Sequence, residues 1–225
     1  MAEVAVRVLG GVRLQGPQGA TNVGGRNAER LLGALVAAGG RAMSIDELAE
    51  AVWPTDAPSS SVAPLRMAVS RLRRRLVEAG VPDAVSAEPG GYRLTVPDEQ
   101  VDVERFRLLV ADARALAASE PDRAAAHFDA ALALWRGEPF GRLASEPWAI
   151  IPVANWNDLH LDVEEEAADL ELARHRQATV ISRLQLAVER QPLRERRWAQ
   201  LAIALFRLGR RGGPRVPGGS ASRRR

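Results

Sequence analysis

The chain has 225 residues, of which 46% are hydrophobic and 26% charged, which is typical of a soluble protein with two modest domains. No segment approaches the roughly 20 apolar residues of a membrane span, and we expect no secretory signal and no membrane association. The sequence contains no Cys, which excludes disulfide scaffolds and thiolate metal sites and makes a cytoplasmic location the expectation.

The positive charge of the chain is unevenly distributed, and all of it comes from Arg. Residues 1–97 carry a net charge of +2, residues 98–209 carry −5, and residues 210–225 carry +6. The sequence pI of 10.6 therefore reflects the last residues more than a basic surface over the whole protein.

The chain begins with short strands and then turns to helices. Alternating runs broken by glycine in residues 4–23 predict small strands. A helix follows and ends at a pair of glycines; its apolar stripe consists of Leu31, Leu32, Leu35 and Val36. Ser44 and Glu47 have the spacing of a capping box, which predicts the start of a second helix that Pro54 stops.

A third helix and a hairpin complete the first part of the chain. The helix is predicted from about Pro64 to Ala79, and two β-prone runs flank Pro89–Gly91. Strands, a helix, a capped helix, a turn, a basic helix and a hairpin follow one another in the order of a winged helix-turn-helix. In that arrangement the third helix would enter the major groove of DNA, and the hairpin would be the wing.

The third helix has one apolar stripe and a strongly basic remainder. The stripe, at spacings of four, three and four, consists of Leu65, Val69, Leu72 and Leu76. The residues pointing the opposite way are Met67, Ser70, Arg71 and Arg74. The residues on the flanks are Arg66, Arg73 and Arg75. A solvated surface would usually mix both signs of charge, yet no Asp or Glu lies between Leu65 and Val77.

Arginine at this density favours an anionic partner. Guanidinium groups form bidentate hydrogen bonds with guanine edges and with phosphates. We therefore take Arg66, Ser70, Arg71 and Arg74 as candidates for reading bases or lining the groove. The candidates for phosphate contacts are Arg73 and Arg75 on the helix and Arg93 on the wing.

From about residue 102 the chain is almost entirely helical and rich in Ala, Leu, Arg and Glu. Helices are predicted near residues 102–118, 121–135, 152–176, 177–190 and 194–208. Helix pairs at this spacing are typical of a tetratricopeptide-like array. The fold class is therefore mainly α, with a winged helix-turn-helix followed by an all-α helical domain.

Nothing in the sequence indicates an enzyme, a cofactor site or a metal site. His127, His160 and His175 fall in separate helices without ligand spacing. The acids at 164–166 are expected mainly on the solvent side of their helix, because an apolar stripe occupies its other face. No glycine-rich phosphate loop is present.

Several motifs together resemble one family of regulators. "SIDELAEAVWP" (44–54), "PLRMAVSRLRRRL" (64–76) and "PGGYRL" (89–94) resemble the OmpR-type winged helix, in the form found in Streptomyces antibiotic regulatory proteins. "VDVERFRLLVADARA" (101–115) and "QPLRERRWAQLAIALFRLGR" (191–210) resemble the bacterial transcriptional activation domain that follows the winged helix in that family.

The resemblance implies a sequence-specific transcriptional regulator, an activator of a secondary-metabolite gene cluster. It further implies binding to direct repeats in double-stranded promoter DNA, homodimerisation on DNA and contact with RNA polymerase. The corresponding domains are a DNA-binding domain at 1–97 and an activation domain at 98–211.

The end of the chain departs from the family pattern, which continues with another helix. Residues 212–225 are rich in Gly, Pro and Arg, so we predict a disordered basic tail there. The helix before it would then expose an apolar patch formed by Trp198, Leu201, Leu205 and Leu208. Glu88 near the wing tip is unfavourable beside a phosphate backbone. An alternative is therefore a helical interaction or dimerisation protein with impaired DNA binding and a truncated activation domain.

Overall fold

The computed structural model describes residues 4–17, 19–55 and 62–211, in two compact units, Met1–Val163 and Glu164–Arg225. The strands are β1 Val6–Arg7, β2 Arg13–Gly16, β3 Gly19–Thr21, β4 Met43–Ser44, β5 Val85–Glu88 and β6 Gly91–Leu94. The helices are α1 Arg26–Ala37, α2 Ile45–Val52, α3 Val62–Glu78, α4 Asp102–Leu116, α5 Pro121–Leu132, α6 Ile150–Ala173, α7 Gln177–Arg190 and α8 Glu195–Arg211. This is the predicted fold class, a winged helix followed by tetratricopeptide-like helices.

The winged helix contains two small antiparallel sheets besides its three helices. The first has the order β1-β2-β3, and the second has the order β4-β6-β5, so that β4 pairs with the wing hairpin. The predicted hairpin is confirmed, with Glu88 paired with Gly91 across the turn. An added Cβ at Gly91 would lie 1.9 Å from the Met43 carbonyl oxygen, so no other residue fits where β6 meets β4.

The capping box predicted at the start of α2 is confirmed. The Ser44 hydroxyl accepts a hydrogen bond from the Glu47 amide (3.2 Å), and the Glu47 carboxylate accepts one from the Ser44 amide (2.7 Å). That backbone hydrogen bond from Ser44 holds the pKa of Glu47 below its ordinary value. The box fixes the beginning of α2 directly after β4, next to the wing.

Several predicted helix boundaries differ from the structure by two or three residues, and two of them, the starts of α3 and α6, differ for the same reason. Helix α3 begins at Val62 rather than near Pro64, and α6 begins at Ile150 rather than at Pro152. A proline in the first helical turn costs no intrahelical hydrogen bond, because the amides there have no partner within the helix. Proline therefore does not mark the first residue of either helix.

The second compact unit has a small core of its own. It is formed by Ala168, Leu172, Val180, Leu184, Val188, Leu201 and Ala204. Beside this core the predicted solvent position of the acids at 164–166 was wrong for Glu165, which is 5% exposed. Arg197, itself buried, donates its Nε to Glu165 (3.3 Å), and Arg194 donates to the same oxygen (2.8 Å).

Three of the four apolar side chains predicted to be exposed on the last described helix are exposed. Trp198 is 50% exposed, Leu205 47% and Leu208 43%, but the prediction was wrong for Leu201, which is buried against α7. The segment predicted to be a disordered tail, 212–225, lies outside the described residues. The predicted domain boundary between residues 97 and 98 stays a prediction.

A buried carboxylate joins the winged helix to the first helices of the second half. Asp102, at the start of α4, accepts hydrogen bonds from the backbone amides of Val8 (2.8 Å) and Leu9 (3.1 Å) and forms an ion pair with Arg136. The Asp102 side chain is fully buried. Burial raises the pKa of its carboxyl, while the two amides and Arg136 oppose that rise.

Further contacts reinforce the same junction within the first unit. Arg30 of α1 donates to Glu146 (2.7 Å), and Arg142 donates to Glu29 of α1 (2.6 Å). The Trp148 ring lies against Gly33, where an added Cβ would be 2.6 Å from the nearest ring atom. The winged helix is therefore held to α4, to Arg136 beyond the end of α5 and to the segment before α6 by polar and apolar contacts together.

Replacing Asp102 with Asn should lower the free energy of unfolding by about 3 kcal/mol. The amide of Asn offers one acceptor oxygen where Asp offers two, so the buried backbone amide of Val8 or of Leu9 would lose its partner. Chemical denaturation monitored by circular dichroism measures the change. Asp98→Asn, an exposed acid four residues earlier, is the control. Equal stability of the two variants would contradict the role given to Asp102.

Candidate nucleic-acid interface

Helix α3 is fixed by its apolar stripe, as the sequence predicts. Leu65, Leu72 and Leu76 are 0% exposed and Val69 is 1% exposed. Each fully buried side chain of this kind contributes about 1.5–3 kcal/mol to folding, so the helix cannot rotate about its axis without a large cost. The remaining faces of the helix, which hold its arginines, are turned away from the core.

All seven predicted interface residues are exposed. On α3 these are Arg66, Ser70, Arg71, Arg73, Arg74 and Arg75, and on the wing it is Arg93. The structure thus brings six of them together on one helix, and β6 carries the seventh. Their roles toward bases or phosphates stay predictions.

Arg73 connects the basic helix to the wing. Its Nε donates a hydrogen bond to the carbonyl oxygen of Val85 in β5 (3.0 Å), and its guanidinium carbon lies 5.9 Å from the centre of the Tyr92 ring in β6. The two contacts combine a hydrogen bond with a cation–π interaction. Sequence reasoning missed this role, because a helix pattern does not reveal which residue faces a strand twelve positions later.

An acid neutralises the arginine of the wing. Glu88 in β5 lies 3.1 Å from a terminal nitrogen of Arg93 in β6, and the Ser86 hydroxyl donates to the same Glu88 oxygen (3.1 Å). Both charged side chains are partly exposed, so the pair is weak and open to exchange. The Glu88 carboxylate therefore offsets the positive charge that Arg93 gives to the hairpin.

The histidines occupy separate places in the first and second units. His127 lies 3.8 Å from Asp112, His160 stacks on Trp135 with ring centres 4.0 Å apart, and His175 is exposed. Within residues 4–17, 19–55 and 62–211, no three His, Asp or Glu side chains are grouped as a metal site would need. No helix in that part of the chain is long and apolar enough to cross a membrane.

The fold and its basic helix define a winged-helix protein with an attached helical domain, the architecture of a bacterial transcriptional regulator. Residues 23–94 match the family described as "Transcriptional regulatory protein, C terminal", and residues 101–213 match "Bacterial transcriptional activator domain". The chain therefore belongs to the family in which these two domains follow each other, the Streptomyces antibiotic regulatory proteins.

Individual relatives agree with this assignment. The chain is 28% identical over 213 residues to the transcriptional regulator RedD of Streptomyces coelicolor, covering 93% of this chain and 61% of RedD. It is 32% identical over 204 residues to the regulatory protein AfsR of Streptomyces griseus, covering 90% of this chain and 20% of AfsR. RedD is a transcriptional regulator and AfsR a regulatory protein.

A solved structure has the same fold. Mycobacterium tuberculosis EmbR, in complex with a low-affinity phosphopeptide, superimposes with a TM-score of 0.83 at 28% identity, covering 93% of this chain and 56% of EmbR. The chain thus spans between a fifth and about three fifths of the length of these three proteins.

The contact between Arg73 and Val85 predicts different stabilities for two neighbouring variants. Arg73→Ala should lower the free energy of unfolding by about 1 kcal/mol, because a hydrogen bond between helix and wing is lost. Arg74→Ala, on the opposite side from the core, should leave stability unchanged within about 0.5 kcal/mol. Urea denaturation of both proteins measures the difference. An Arg73 variant as stable as the Arg74 variant would argue against the contact.

Proposed function

We propose that this protein binds promoter DNA sequence-specifically and activates transcription of a secondary-metabolite gene cluster. The observation that carries the proposal is α3, whose buried stripe turns five arginines outward along a face without acids between Leu65 and Val77. Membership of a family of transcriptional regulators supports it, as does the similarity to RedD and AfsR.

The positions of the interface side chains suggest that some contact bases and others contact phosphates. With α3 in the major groove, Arg66, Ser70, Arg71 and Arg74 would meet base edges, because they lie farthest from the core or beside that face. Arg73, Arg75 and Arg93 would meet phosphates. The Nε of Arg73 is engaged by Val85, so its terminal amino groups would make that contact.

The helical half of the chain would bind the protein partners of the regulator. We propose that residues 98–211 act as the activation domain, contacting RNA polymerase and supporting a homodimer on direct repeats. The junction at Asp102 supports this arrangement, because it holds the first of these helices against the winged helix. The DNA-binding domain would thereby be coupled to α4, the first helix of the domain proposed to contact the polymerase.

One observation favours a second function. The pairing of Glu88 with Arg93 removes positive charge from the wing, as expected of a helical interaction protein with impaired DNA binding. An electrophoretic shift assay with the DNA upstream of the protein's own gene distinguishes the two functions. A shift that survives excess random DNA supports the regulator, and the absence of any shift supports the interaction protein.

Arg74→Ala should weaken binding to the operator by about 1–3 kcal/mol and relax the preference at one base pair. Arg73→Ala should instead weaken operator and random DNA alike and reduce the slope of log affinity against log salt by about one. Titrations at several salt concentrations separate the two effects. Identical behaviour of the two variants would refute the assignment of base and phosphate roles.

Glu88→Arg should tighten binding to operator and random DNA alike and make the salt dependence steeper. The substitution both removes the partner of Arg93 and adds a charge beside the backbone. Glu99→Arg, an exposed acid outside the wing, controls for the change in net charge. If affinity does not exceed that of the control, the wing does not lie near the phosphate backbone.

A further inference from the structure

The two flanks of α3 differ in what lies beside them. On one flank Arg73 is held to the wing, as described above. The other flank borders an open groove of about 570 Å³ between α3 and the beginning of α1. The lining of this groove includes Asn27 in the first turn of α1 and Arg71, Arg74 and Arg75 on α3.

The groove is positively charged. Its lining has three arginines and one acid, Glu78, whose carboxylate accepts a hydrogen bond from Arg75 (2.9 Å). Both side chains of that pair are about half exposed, so the pair exchanges partners at little cost. Glu29, the acid in the first turn of α1, is held by Arg142 and does not line the groove.

Small residues keep the α1 side of the groove accessible. At Gly24, just before α1, an added Cβ would lie 3.9 Å from the Nε of Arg75, so this arginine lies directly beside the chain entering the helix. Asn27 follows three residues later and is exposed. A ligand in the groove would therefore meet the guanidinium of Arg75 on one wall and the Asn27 amide on the other.

We propose that this groove binds a phosphate of the DNA backbone, contacted by Arg75 from α3 and by Asn27 from α1. The proposal rests on the proposed function, in which α3 occupies the major groove. An α-helix with its side chains is about 10–12 Å wide and the major groove about 12 Å, so both flanks of the helix meet phosphate backbones. The wing would contact the backbone of one DNA strand, and the α1 groove would contact the backbone of the other.

The binding exchanges one partner of Arg75 for another. In the free protein the Arg75 guanidinium is paired with Glu78, and in the complex it would turn to the phosphate, with the Asn27 amide donating a second hydrogen bond. Because phosphates carry no sequence information, the contact would set position and affinity and not base preference. Asn27 is thus a DNA-positioning residue on a helix outside the helix-turn-helix pair.

Asn27→Asp tests the proposal by placing a carboxylate in the groove with almost no change in shape. An acid in the first turn of a helix is favourable, so the variant should fold. We expect about tenfold weaker binding to operator and random duplexes alike, measured by fluorescence anisotropy, and a salt slope shallower by about one. Asn155→Asp, at an exposed position of α6, is the matched control and should bind like the wild type.

Glu78→Gln tests the same groove in the opposite direction. Removing the competing acid should tighten binding to both duplexes by about threefold, while Glu99→Gln should change nothing. The inference is overturned if Asn27→Asp binds like Asn155→Asp, or if its loss is confined to the operator. If the wild type binds DNA, either result leaves the proposed function intact. A wild type that binds neither duplex overturns the groove proposal and the proposed function together.

Discussion

The buried stripe of α3 is the constraint on which the interface depends. Four apolar side chains between Leu65 and Leu76 are almost completely removed from solvent, and their burial fixes the rotation of the helix about its axis. A rotation of one residue, about 100°, would bring a guanidinium into the core without a partner, at a cost of several kcal/mol. The outward direction of the arginines is thus a consequence of packing, and their chemistry toward DNA follows from that direction.

The position of this helix relative to α4 and to the segment before α6 depends on charged side chains outside the interface. Asp102 accepts hydrogen bonds from the Val8 and Leu9 amides, which follow β1, and the ion pairs Arg30–Glu146 and Glu29–Arg142 bring α1 against the segment before α6. A buried charge that loses its partner is expensive, so these pairs specify one arrangement of the elements they join. In the proposed regulator, the same arrangement would link the DNA-bound helix with the surface offered to the polymerase.

The features that the sequence predicts correctly are those encoded by neighbours along the chain. The stripe of α3, the capping box at Ser44 and the hairpin at Pro89–Gly91 each depend on residues a few positions apart. The contacts that escaped prediction join distant positions: Asp102 binds amides more than ninety residues away, and Glu165 is buried by Arg197. Nothing local distinguishes these two acids from their solvated neighbours. The groove beside Asn27 was missed for the same reason, since it exists only where α1 meets α3.

The most direct test of the account is a chemical protection experiment on the operator complex. Dimethyl sulfate methylates guanine N7, which faces the major groove, and adenine N3, which faces the minor groove. If α3 lies in the major groove with its arginines toward the bases, the protein should protect guanine N7 within each repeat, and Arg74→Ala should restore reactivity at one guanine. Protection confined to adenine N3, or the same guanine pattern with and without Arg74, would contradict the placement of α3.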